Sequence, residues 1–87
     1  PTEVEEAVVG TGLTEEAVAI GVPDGNLGQV ILVVARGEGH AEEEIRMALK
    51  RDLPSFMQPT RFVWRAELPR NANGKIDRAA LKAEFAA

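Results

Sequence analysis

The sequence predicts a small α+β domain, a three-stranded mixed sheet packed with about three helices in the chain order α-β-β-α-β-α. Three features point there. The run Val30 to Ala35 is continuously apolar, as expected of a strand covered on both faces in the middle of a sheet. "RFVWR" alternates Phe62 and Trp64 with Arg61, Val63 and Arg65, the period of a strand. "AEEEIRMALKRDL" sets Ala41, Ile45, Ala48, Leu49 and Leu53 on one face and charges on the other, the pattern of an amphipathic helix.

The elements follow along the chain. In "PTEVEEAVVGTG", Thr2 and Glu5 have the spacing of a capping box, Val4, Ala7 and Val8 recur at helical intervals, and Gly10 or Gly12 stops the turn. A chain that starts on a helix cap is expected to be cut from something longer. "EEAVAIGV" and "GQVILVVAR" read as two strands joined by "PDGNL", whose Pro-Asp-Gly is turn chemistry, so Asp24 and Gly25 belong to a hairpin turn and not to a site. Gly28 lets the chain enter the second strand tightly. The amphipathic helix opens on Glu42, Glu43 and Glu44, where negative charge is favourable, and ends at Pro54. "SFMQP" is a loop, and Phe62 and Trp64 read as core residues, not as a stacking platform. Asp77 caps a last helix from Arg78 to Phe85, with Ile76 and Leu81 as its hydrophobic staple.

Composition excludes several classes of function. At 87 residues the chain is one domain, too small for a deep active site of its own. Its 45% apolar and 28% charged residues are those of an ordinary globular protein. No apolar run approaches the roughly 20 residues of a membrane span. The N-terminus is acidic where a signal peptide is basic, so the expected location is cytoplasmic. Without cysteine there is no disulfide, thiolate zinc site or cysteine nucleophile, and the lone His40 makes no metal site unaided. No metal ligands are expected. The net charge of −4 divides into +3 between Arg61 and Arg78 and −7 elsewhere. That distribution fits a local anion contact or a solvated strand edge, and argues against nucleic-acid binding.

The basic segment contains "LPRNANGKIDR", in which Lys75 stands between a strand and a capped helix, on a loop rich in residues that tolerate left-handed backbone. A Walker-type phosphate loop is excluded, because Ile76 occupies the Ser/Thr position and Pro69 stands where the first glycine is required. Spacing alone leaves two readings, a solvated lysine ahead of a helix and a functional cation held out from a rigid scaffold.

"LPRNANGKIDRAAL" resembles the lysine-bearing signature near the C-terminus of the adenylate-forming superfamily: acyl- and aryl-CoA synthetases, peptide-synthetase adenylation domains and luciferases. "PTEVEEAV", "EAVAIGVPDGNLGQVILVVARG" and "LKRDLPSFMQPTRFVW" resemble successive segments of the same family's C-terminal subdomain, in the same order. The likeness covers essentially the whole chain. "AIGVPDGNLGQ" looks more like acyl-CoA synthetases than peptide synthetases.

The resemblance implies that residues 1–87 are the mobile C-terminal lid of an AMP-forming carboxylate–CoA ligase whose N-terminal core is absent. In that family carboxylate and ATP give an acyl-adenylate and pyrophosphate, and a thiol, commonly that of coenzyme A, then displaces AMP. ATP and magnesium are bound mainly by the N-terminal domain, with coenzyme A as co-substrate. Lys75 matches the lysine that reaches the substrate carboxylate and the α-phosphate. Arg70, Asn71, Asn73 and Gly74 are expected to shape the loop or lie beside substrate, and Arg70 or Arg78 to brace it or touch the partner domain. The expected partners are the N-terminal domain, a carboxylic acid and a protein lysine acyltransferase acting on Lys75. The hinge and hairpin that begin this subdomain in the family are missing, so the chain alone is expected to be inactive and the thiol acceptor is not legible. A peptide-synthetase adenylation domain and a free-standing docking or regulatory module are the other readings.

Overall fold

The computed structural model describes residues 2–26 and 28–85. Its elements are α1 (Thr2–Gly10), β1 (Ala17–Asp24), β2 (Gly28–Arg36), α2 (Glu42–Asp52), β3 (Arg61–Arg65) and α3 (Arg78–Phe85), the order expected from the sequence. The sheet order is β1-β2-β3. β1 and β2 pair antiparallel from Ala17 opposite Ala35 to Asp24 opposite Gly28. β3 lies parallel to β2, from Leu32 opposite Arg61 to Arg36 opposite Arg65. A parallel pair needs a crossover, and α2 supplies it.

β2 is the middle strand, and its residues Leu32 to Ala35 are all shielded from solvent. Alternation along the sheet divides the core into two layers. Val33 and Ala35 pack with Ala17 and Ala19 of β1, Val4 and Val8 of α1, and Ile45 and Leu49 of α2. Val30, Leu32 and Val34 face the other way, with Val18, Ile20 and Val22 of β1, Leu68, and Leu81 of α3. Phe62 and Trp64 flank the first layer as expected, their rings stacked at 6.2 Å with Arg46 over Phe62.

Several boundaries differ from expectation, each for a physical reason. β1 starts at Ala17 and runs through Pro23 to Asp24, because β1 is an edge strand where a missing N–H is tolerated. The turn therefore sits beyond Asp24, whose Oδ1 accepts the Asn26 N–H at 2.8 Å, and Gly28 enters β2 at φ +82°. Leu27 lies outside the described residues. "SFMQP" is a 3-10 turn at Ser55–Met57, followed by Gln58, whose Nε2 donates to the Leu49 and Leu53 carbonyls at the end of α2. Glu42 does more than favour the helix dipole: it accepts the Trp64 indole N–H at 2.8 Å and the Arg46 Nε at 3.0 Å.

The capping box is a correction. Glu5 does not turn back to Thr2. Only 7% exposed, its carboxylate accepts the Ala19 N–H at 2.8 Å and both guanidinium nitrogens of Arg78 at 2.5 and 2.6 Å. A buried amide and a forked cation are stronger partners than a solvated helix-end amide. This pair ties α3, behind the sheet, to α1 in front of it. Burial opposes ionisation of Glu5, but the hydrogen bonds from Arg78 and Ala19 outweigh it and hold the carboxyl below the ordinary 4.5.

The sign of the pH effect follows. The unfolded chain takes up the Glu5 proton near the ordinary value and the folded chain only at lower pH. The stability this group contributes is complete above about pH 4.5 and is lost as pH falls through the folded value. Glu16 and Glu42 are shifted in the same direction. Urea denaturation followed by Trp64 fluorescence between pH 3 and 7 is expected to show this acid loss, with a shallower slope in Glu5→Gln. Arg78→Ala is expected to lower stability at pH 7 by about 1–2 kcal/mol, the exposed guanidinium being partly screened.

Candidate functional site

The segment after β3 builds a small hairpin. Leu68, 4% exposed, and Ile76 both insert into the core layer beneath α3, so the two arms start from fixed points. Arg70 pairs with Ile76 as an isolated antiparallel bridge. The Asp77 N–H donates to the Pro69 carbonyl at 2.7 Å and the Asn71 N–H to the Lys75 carbonyl at 2.8 Å. Gly74 N–H closes a β-turn on the Asn71 carbonyl at 3.0 Å, and Gly74 takes φ +80°, the left-handed bulge position that a side chain disfavours.

Asn71 saturates the tip from inside. Its Oδ1 accepts the N–H groups of Asn73 at 2.9 Å and Lys75 at 3.2 Å. Arg70 reaches along the loop to the Gly74 carbonyl at 3.3 Å. Arg70, Asn71, Asn73, Gly74 and Lys75, singled out from the sequence, thus stand in one hairpin, all exposed. Asn73 contributes its backbone amide to this network. The Lys75 side chain meets no hydrogen-bond or ion-pair partner among the described residues. The loop therefore presents an uncommitted ammonium on a backbone whose own polar groups are largely paired.

Downstream, Asp77 Oδ1 accepts the Ala80 N–H at 3.0 Å and so caps α3, while Leu81 is fully buried over Ile76, as the staple requires. Arg78 belongs to the Glu5 pair, with both terminal guanidinium nitrogens on that carboxylate, rather than bracing the loop.

Sequence reading missed the residue that anchors Arg70. Glu16, just before β1, places both carboxylate oxygens 2.6 Å from Arg70 Nη2, with Arg36 Nε at 3.5 Å on its other side. The hydrogen bond from Arg70 holds the Glu16 carboxyl below its ordinary value against some burial, with Arg36 assisting. Fifty-four positions separate Glu16 from Arg70, so no local pattern announces the contact.

Residues 3–75 match the family of AMP-binding enzyme C-terminal domains. The chain belongs to this family. Among curated proteins, this AMP-binding enzyme C-terminal domain is 38% identical to an oxalate–CoA ligase of Saccharomyces cerevisiae, over 99% of the chain and 16% of that protein. It is also 38% identical to a mycosubtilin synthase of Bacillus subtilis, over 93% of the chain and 3% of that protein. Among solved structures it superposes on a Brucella canis acyl-CoA synthetase with a TM-score of 0.84 and 27% identity, covering 98% of the chain and 17% of that structure. The domain thus spans about one sixth of the length of the ligases it matches. The family match stops at Lys75, while the staple and α3 that fix the hairpin's second arm lie beyond it.

Replacing Gly74 forces a side chain to φ +80°, at a cost of about 1–2 kcal/mol confined to the tip. Amide exchange at Lys75 in Gly74→Ala is expected to quicken by about 5- to 30-fold, with exchange in β2 unchanged.

Proposed function

We propose that this chain is the mobile C-terminal lid of an ATP-dependent, AMP-forming carboxylate–CoA ligase, and that Lys75 is its adenylation lysine. The observation that carries the reading is the uncommitted ammonium at the tip of the braced hairpin, in a domain whose relatives include an oxalate–CoA ligase. The N-terminal core of the same polypeptide, in the cytoplasm, would hold ATP, magnesium and the acid. No helix among the described residues is long and apolar enough to cross a membrane. Magnesium travels with the nucleotide phosphates and so belongs, in this reading, with ATP in the core.

The chemistry suits a lysine. A carboxylate attacking the α-phosphate brings two anions together. A compact ammonium with three donors can contact both as charge moves between them. The side chain loses few prior contacts on entering the site, because it has no ion pair to break among the described residues. A preorganised donor of this kind is worth about 10²–10³ in rate.

Acetylation of Lys75 removes the same charge, so a protein lysine acyltransferase acting there would silence adenylation. The test is pyrophosphate release by the full-length protein, screened with oxalate, acetate and a medium-chain fatty acid and then run with the best of them. Lys75→Ala and uniformly Lys75-acetylated protein are expected to lose about 10²-fold or more, with thioester formation from supplied acyl-adenylate largely kept. Equal release by Lys75→Ala would overturn the assignment. The isolated 87 residues are expected to turn over no ATP.

The likeness to the mycosubtilin synthase favours a second reading, a peptide-synthetase adenylation domain. Transfer to coenzyme A or to a carrier-protein thiol separates the two.

A further inference from the structure

We propose that Glu16, acting through Arg70, is a positioning residue for Lys75; this rests on the adenylation role proposed above. Arg70 sits at the foot of the hairpin and makes contacts in two directions. Nη1 holds the carbonyl of Gly74, the residue bonded to the Lys75 nitrogen, and Nη2 holds both oxygens of Glu16. Glu16 is itself fixed. Its carbonyl accepts the Arg36 N–H at 3.0 Å and the Thr14 hydroxyl at 3.2 Å, its carboxylate faces Arg36, and the next residue opens β1. Arg36 is steadied in turn by Glu15 at 2.9 Å. The result is a strut from the edge of the sheet to the backbone that carries Lys75.

Stability does not account for this arrangement. The Arg70 side chain is 41% exposed, and exposed pairs of this kind contribute little to folding. A forked cation between two acceptors does fix direction, however, because the guanidinium is planar and its donors diverge. Hairpin turns hold their internal hydrogen bonds while still rocking about their feet, and Leu68 and Ile76 anchor the arms only on the core side. The strut restrains the remaining swing of the loop. Misplacement of a catalytic group by about 1 Å costs up to about 10²-fold in rate. Glu16 touches neither Lys75 nor, in this reading, any substrate, so its effect has to pass through Arg70 and the loop.

The experiment uses the full-length protein and four variants: Glu16→Gln, Arg70→Gln, Lys75→Ala and the double variant Glu16→Gln/Lys75→Ala. Glu16→Gln keeps the size of the side chain while removing the charge that holds the fork. With the acid chosen from the same panel, Glu16→Gln and Arg70→Gln are expected to lower kcat for pyrophosphate release by about 3- to 30-fold. KM for ATP and acid should stay within about twofold, and thioester formation from supplied acyl-adenylate should be unaffected. In the Lys75→Ala background, Glu16→Gln is expected to cost nothing further, because there is no ammonium left to position. Independently of any acid, amide exchange at Gly74 and Lys75 is expected to quicken in Glu16→Gln while exchange at Leu32 does not change.

Wild-type release by Glu16→Gln alongside an impaired Lys75→Ala would overturn the strut and leave the lysine assignment standing. So would a Glu16→Gln penalty that persists undiminished without Lys75, since it would act elsewhere. Unimpaired release by Lys75→Ala would overturn the lysine assignment itself.

Discussion

A strand with no solvent face has to be covered twice, and β2 sets that requirement for the whole molecule. Because Leu32 and Val34 are as deeply enclosed as Val33 and Ala35, one pair of helices cannot complete the core. α1 and α2 cover one side. The chain must then leave β3, cross the end of the sheet and return along the opposite side as α3, with Leu68, Ile76 and Leu81 serving as the cover. The hairpin that presents Lys75 is this crossing. The placement of the lysine is thus a by-product of satisfying the second face, and the site inherits the rigidity of the core without occupying a pocket.

Electrostatics adds connections that hydrophobic packing does not supply. Glu5 links α1 to α3 through Arg78 around the sheet edge, and Glu16 links the start of β1 to the hairpin through Arg70. The two pairs differ in kind. The first carboxylate is enclosed and bonded on both oxygens, so it belongs to the stability of the fold. The second is near water and serves to orient a loop. Both use arginine, whose fork can satisfy two acceptors where lysine would offer a point charge.

Much of the fold was legible because it is written locally. The apolar run of β2, the alternation of β3, the helical spacing of α2, the Asp77 cap with its Ile76–Leu81 staple, and the glycine needed at position 28 all depend on neighbours within a few residues. Where the reading failed, the deciding partner was distant. Thr2 and Glu5 have the spacing of a capping box, but Ala19 and Arg78 outcompete a solvated amide for the carboxylate. Glu42 looked like a dipole-stabilising charge and also holds Trp64 from another element. For the site, the loop residues Arg70 to Lys75 were visible as an unusual cluster, whereas Glu16 was not, since its neighbours Glu15 and Ala17 give it no distinguishing pattern.

The residues that invite the functional reading and the residues that complete the fold lie on opposite sides of Lys75. The family model ends at Lys75, the residue that invites the functional reading, while the relatives align over nearly the whole chain; the face of β2 that Leu68 begins to cover is closed only by Ile76 and Leu81 beyond that residue. Cut after Lys75, the chain would keep the lysine and lose the Ile76–Leu81 lock, the Asp77 cap and the Arg78 fork together. Helix α3 is therefore the piece that closes the second layer of the core and completes the body on which the lysine is mounted.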